Sequence, residues 1–112
     1  MVRERFYEQV LPLAREELAA MERAPERELA RLRMESVEIE ENDELGPHLA
    51  ITFRDPERPE CLFGWRWSWM DDPKPDEVEF AASLVRINLE EDLLAAGYGL
   101  PAECVSDGVT WF

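Results

Sequence analysis

The N-terminal segment repeats its apolar residues with the period of a helix. Between residues 2 and 23 they recur every three or four positions, which places them on one helical face. Pro12 lacks an amide hydrogen and its ring crowds the carbonyl of Glu8, so we expect a kink or a restart of the helix there. The buried stripe is predicted to be Phe6, Val10, Leu13, Ala14, Leu18 and Met21, widened by Tyr7 and Leu11.

From about Ala30 the hydrophobic period changes to two, which is typical of a strand with one buried side. The phase slips by one residue at Glu35 and Ser36, and such a slip turns the later side chains over unless one residue is bulged out. We therefore predict one strand with a bulge near Ser36. A helix that runs to about Arg33, followed by a short strand, is the alternative. The alternating apolar residues are Leu32 and Met34, then Val37 and Ile39.

Two more strands are predicted beyond this one. Residues 42–47 and 55–60 are rich in helix and strand breakers and predict turns, so strands are expected at 48–54 and 61–70. The short connections favour an antiparallel meander of the three strands. In the second strand, one face carries Leu49, Ile51 and Phe53, and the other carries Ala50, Thr52 and Arg54.

A second helix is predicted from Asp76 to Ala96. Asp76 is suited to cap it, and Glu79 completes a pattern like a capping box. Residues 109–112 are long enough for a short final strand. The buried stripe is predicted to be Val78, Ala81, Ala82, Val85, Leu89 and Leu93, while Phe80, Leu84, Ile87 and Leu94 extend the apolar surface enough for both sides to be covered.

The order α-β-β-β-α-(β) predicts a single α+β domain over residues 1–112. We expect an antiparallel sheet of three to four strands with both helices packed on one face. With 46% apolar residues, the chain can build one core. It has no apolar run long enough to span a membrane and no pattern of a signal peptide, so we expect a cytoplasmic location.

The charge of the chain is unevenly distributed. The net charge is −14, and all of it arises after residue 34, because the earlier residues carry equal numbers of acids and bases. Phosphate binding needs a basic stripe, so nucleic acid and anionic membranes are excluded as partners. A basic protein partner fits, although high charge also serves simply to keep a small protein soluble. We expect a monomer or small homo-oligomer, and the arginine-rich set of bases suggests a bacterial source.

Trp65, Trp67 and Trp69 form the most unusual pattern in the sequence. On a strand they project from one side, about 7 Å apart. Such a row can stack ligands or form the inner face of a sheet. We favour the core, and also consider two buried indoles with one lining a groove. As candidate ligand or partner contacts, the three indoles are joined by Arg66 and Arg86, whose guanidinium groups can bind carboxylates.

An acidic run is the second candidate site. It can meet a basic partner and speed its association, or it can be a solvated edge strand whose charges block aggregation. The candidate acidic partner surface consists of Glu38, Glu40, Glu41, Asp43 and Glu44.

The sequence contains no recognisable catalytic or metal-binding motif. His48 is its one histidine, and in an antiparallel meander it lies at the opposite end from Cys61. Cys104 with His48 is the remaining possible dyad. We expect no cofactor and no metal, and we lean against an enzyme.

Two functions remain. The first is a small acidic non-enzymatic interaction module, inhibitor- or immunity-like in composition, that docks a basic protein. The alternative is a small-ligand binding domain or minor enzyme with a Trp-lined pocket between sheet and helix.

Overall fold

Two helices and four strands make up the part of the chain that the structure describes. This computed structural model describes residues 1–23, 33–55, 58–69, 71–95 and 109–110. Their order confirms the predicted α+β arrangement. The elements are α1 (Arg3–Arg23), β1 (Arg33–Asn42), β2 (Gly46–Asp55), β3 (Arg58–Trp67), a 3-10 turn (Pro75–Glu77), α2 (Val78–Ala95) and β4 (Val109–Thr110).

The strands form one sheet in the order β1-β2-β3-β4. The first three are antiparallel, as predicted. The short β4 pairs parallel to β3, with Phe63 opposite Val109, so our expectation of a wholly antiparallel sheet is wrong for this strand. The reason is the connection: the chain passes through α2 before it returns to the sheet, and such a crossover joins parallel strands.

A bulge interrupts β1 where the hydrophobic phase slips. Met34 lies opposite Phe53 and Ser36 lies opposite Thr52, so Glu35 has no residue of its own opposite it. This confirms the predicted bulge, which keeps Met34 and the later apolar residues on the same face of the sheet. Residues 24–32, on which the alternative helix depends, lie outside the described residues.

Deletion of Glu35 tests this register. The shortened strand would pair regularly with every inward residue still inward, so we expect the melting temperature to stay within about 5 °C of the parent value. Deletion of Glu38, the control, turns half of β1 over and is expected to abolish cooperative unfolding. Thermal unfolding followed by circular dichroism measures both. Equal damage from the two deletions would contradict the assigned register.

The turn between β1 and β2 is held by one side chain. The Asn42 Oδ1 atom accepts hydrogen bonds from the backbone N–H groups of Glu44 (3.0 Å) and Leu45 (2.6 Å). Gly46 then adopts a φ of 64°, a left-handed conformation that costs glycine little. The predicted turn is therefore confirmed, and it fixes the end of the hairpin beside α1.

Helix α1 continues through Pro12 without a break, so the predicted restart does not occur. Pro12 lies on the exposed side of the helix, where water can bond the carbonyl that loses its partner. The predicted stripe is confirmed: Phe6, Tyr7, Val10, Ala14, Leu18 and Met21 are buried, and Leu11 and Leu13 are partly buried.

Both helices pack on the same face of the sheet. Trp65 and Trp67 project from one side of β3; the first bonds Asp92 of α2 and the second contacts Tyr7 of α1. The sheet contributes Val37, Leu49, Ile51, Phe53, Trp65, Trp67 and Trp69 to the core, and α2 contributes Val78, Ala81, Ala82, Val85 and Leu89.

Among the described residues, neither helix combines the length and the apolar composition that a membrane span requires.

The outer side of α2 differs from our expectation. Phe80 is 58% exposed and Ile87 is 45% exposed. The suggestion that both sides of this helix are covered is therefore wrong at these two positions, because the sheet and α1 reach only one side of it. The side chains of Leu93 and Leu94 lie outside the described residues.

The Tyr7 hydroxyl group has a structural role that a phenylalanine cannot fill. It accepts a buried 2.8 Å hydrogen bond from the backbone N–H of Trp69. Tyr7→Phe keeps the ring and leaves that N–H unsatisfied, so we expect the free energy of unfolding to fall by about 1–3 kcal/mol. Urea denaturation measures the change. Unaltered stability would mean that the Trp69 amide finds another partner.

Candidate functional site

The tryptophan row lies in the core. Trp65 is 2%, Trp67 6% and Trp69 7% exposed, which agrees with the core interpretation of the pattern. Aromatic rings of α1 surround them: Phe6 lies 5.5 Å from Trp69, and Tyr7 meets Trp67 edge to face at 6.4 Å between ring centroids. The indoles fill the space between the sheet and α1, and their role as ligand contacts stays a prediction.

The indole N–H of Trp65 has a hydrogen-bond partner, whereas that of Trp69 has none among the described residues. The Trp65 Nε1 atom donates to Asp92 Oδ2 at 2.6 Å. The buried Trp69 Nε1 atom has no hydrogen-bond partner among the described residues. Trp69 also borders a shallow cavity of about 260 Å³ beside Arg3 and Leu45, although its side chain is nearly as deeply buried as that of Trp67.

Arg66 belongs to a polar network on the outer face of the sheet. Its Nη1 atom donates to His48 Nε2 at 2.6 Å and lies 3.8 Å from Glu40 Oε1. Because arginine is always a donor, His48 must accept through Nε2 and donate through Nδ1, which bonds the Gly46 carbonyl at 2.8 Å. His48 is fully buried. Both ring nitrogens of His48 are therefore engaged by groups of the same chain.

The strand register also separates His48 from Cys61. Leu49 lies opposite Trp67 and Arg54 lies opposite Leu62, so the backbones of His48 and Cys61 are about 20 Å apart along the strands. This agrees with the sequence argument against that dyad. The possible pairing of His48 with Cys104 falls on a residue outside the described ones.

Arg86 joins the two helices. Its Nε atom donates to Glu90 at 3.0 Å, and its Nη1 atom lies 3.5 Å from Glu17 of α1. Hydrogen bonding to Glu90, and then to Glu17, raises the pKa of Arg86 above its ordinary value. Two carboxylates of its own chain therefore engage this guanidinium, and an external carboxylate would have to compete with them.

Three acidic residues of β1 have basic partners. Arg54 hydrogen-bonds Glu35, which lowers the pKa of that carboxyl group and raises the pKa of the guanidinium. Arg15 of α1 lies 3.4 Å from Glu38, and Arg66 is the partner of Glu40 described above. Because all three pairs are solvent-exposed or half-exposed, they contribute little to stability. Their effect is to neutralise part of the acidic run.

The rest of the acidic run surrounds the end of the hairpin. Glu41, Asp43 and Glu44 are exposed, and none of them forms an ion pair with another described residue. They lie at the end of β1 and in the turn that Asn42 organises. The predicted acidic surface is thus divided into a partly neutralised portion, at Glu38 and Glu40, and this more strongly charged end.

A groove opens between this end of the hairpin and α1. We call it the glutamate groove; its volume is about 330 Å³, and no arginine or lysine lines it. Glu4 and Glu8 lie one helical turn apart on α1 and so share a face. The carboxylate of Glu40 is directed to Arg66, so Glu40 contributes to the wall of the groove and not to its set of available carboxylates. The groove is lined by Glu4, Glu8, Ile39, Glu40, Glu41 and Pro47.

Glu4 and Glu8 were not predicted as site residues from the sequence. The sequence signal was limited to their spacing of four on the polar side of α1. Nothing in that spacing indicates that this side faces the end of a hairpin more than thirty residues later. The groove depends on where the aromatic core places α1, because Phe6 and Tyr7 are the intervening residues that pack inward.

A second acidic hollow lies between α1 and α2, with a volume of about 260 Å³ and with Glu16, Glu17 and Glu79 in its wall. Here Arg86 already engages Glu17. The glutamate groove is therefore the better candidate for an external cation. Among the described His, Cys, Asp and Glu side chains, no group of three is arranged to hold a metal ion.

Comparison with known proteins identifies no relative: no family model, curated protein or solved structure matches this chain.

Proposed function

We propose that this protein is a small, acidic, non-enzymatic module that docks a basic protein partner. The observation that carries the proposal is the glutamate groove, where carboxylates from α1 and from β1 meet without a basic residue in the lining. Opposite charges on two partners speed their encounter and fix their orientation. The cytoplasmic location and the monomeric or small oligomeric state stay predictions from the sequence.

The groove has the chemistry to hold a long basic side chain. Ile39 and Pro47 supply apolar surface for the methylene groups of an arginine or lysine, which pack well on such surface while the charged end reaches polar groups. Glu4, Glu8 and Glu41 supply carboxylates for the cation. Charge-assisted hydrogen bonds of this kind are about twice as strong as neutral ones.

Neutralising the groove tests the proposal. The probe is an eight-residue peptide of alternating arginine and threonine, and the variant is Glu4→Gln, Glu8→Gln and Glu41→Gln combined. We expect the dissociation constant, measured by calorimetry at low salt, to rise at least about tenfold. Binding of the parent protein should also weaken as salt is added, because the contacts are solvent-exposed.

The control variant changes the net charge equally at other places. Glu16→Gln, Glu79→Gln and Glu91→Gln remove three exposed carboxylates from α1 and α2, including two from the second hollow. We expect this variant to bind nearly as the parent does. Equal weakening by both variants would mean that net charge alone attracts the peptide, and the proposed docking site would be wrong.

A further inference from the structure

Strand β1 is an edge of the sheet, with a neighbouring strand on one side only in the described structure. The Val37 carbonyl points away from β2, because it accepts two hydrogen bonds from Arg15 of α1, at 3.1 and 2.8 Å. In an antiparallel pair, the backbone groups of every second residue point the same way. Ile39 and Glu41 therefore also direct their N–H and C=O groups outward.

Pro47 supports this assignment independently. It lies directly opposite Glu41 and has no N–H to donate. A proline fits there only if this pair is one that exchanges no hydrogen bonds across the ladder. The outward direction of the Glu41 backbone thus follows from the residue opposite it as well as from Val37.

Helix α1 covers the first half of this edge and not the second. Glu22 accepts a hydrogen bond from the Met34 N–H at 3.3 Å, and Arg15 covers the Val37 carbonyl. Farther along, no hydrogen bond is made by the outward groups of Ile39 and Glu41 to any described residue. Both residues line the glutamate groove. The groove therefore contains an open length of strand edge as well as carboxylates.

We propose that residues 38–42 form a strand-addition site, at which an extended basic segment of the partner pairs with β1. The inference depends on the proposed function, since it specifies how the basic partner binds. Main-chain hydrogen bonds to Ile39 and Glu41 would supply affinity, and side chains on alternate faces would supply specificity. The added strand would form up to about four such bonds.

The charges beside the edge define the partner segment. On the helix side an added strand meets Glu4, Glu8 and Glu41. On the other side it meets Glu38 and Glu40, whose charges Arg15 and Arg66 partly neutralise. Because no arginine or lysine lines the groove on the helix side, its carboxylates suit arginine or lysine at alternate positions of the segment. A second copy of this chain fits poorly, because two β1 edges would bring their glutamates together on molecules that each carry −14.

The experiment compares the arginine-threonine peptide with the same peptide methylated at every backbone nitrogen, which keeps its charge and removes its N–H groups. We expect methylation to raise the dissociation constant at least about tenfold. Amide hydrogen exchange read by NMR should slow at least tenfold at Ile39 and Glu41 when the parent peptide binds. Leu49, inside the sheet, is the internal control and should not change.

The following outcomes would each contradict strand addition by a basic segment. If both peptides bind alike and the groove variant weakens both, the proposed docking function stands and the pairing is wrong. If the groove variant binds as the parent does, or the peptide does not bind at low salt, the proposed function itself fails. Protection of Ile39 and Glu41 without peptide, together with a dimer by sedimentation, would assign the edge to a second copy.

Discussion

Burial of the tryptophan row beneath the aromatic residues of α1 is the interaction on which the rest of the structure depends. Trp67 and Trp69 pack against Tyr7 and Phe6, and the Tyr7 hydroxyl bonds the Trp69 backbone. These contacts set which side of α1 faces the sheet. Glu4 and Glu8 flank the two aromatic residues, so the same contacts bring their carboxylates to the end of the hairpin.

The carboxylates of the glutamate groove bear on two properties of the β1 edge: its protection against unwanted strand pairing and the proposed pairing with a basic segment. Exposed strand edges invite pairing with other chains, and charged side chains are a common protection against it. At the β1 edge the protecting charge is negative. Arg15 and Arg66 neutralise Glu38 and Glu40 only in part, and Glu41 lies among other acidic residues. In our proposal, the net negative charge of this edge disfavours pairing with a second copy of the chain and favours pairing with a basic segment.

Local patterns in the sequence predicted the three antiparallel strands, the bulge near Ser36 and the described part of both buried helical stripes, since each depends on a period of two or of about 3.6 within one element. The parallel pairing of β4 depended on the path of the chain after α2, which no local pattern encodes. The acidic run was visible in the sequence. Its division was not, because the partners of Glu38 and Glu40 come from α1 and β3.

Fluorescence quenching tests the buried indoles most directly. Trp111→Phe removes the one tryptophan outside the row, and the emission of Trp65, Trp67 and Trp69 is then measured with acrylamide, a neutral quencher. The account predicts blue-shifted emission that acrylamide quenches far less than in the urea-unfolded chain. Red-shifted emission with quenching close to that of the unfolded chain would contradict it, since the indoles would then lie open to water and could not position α1.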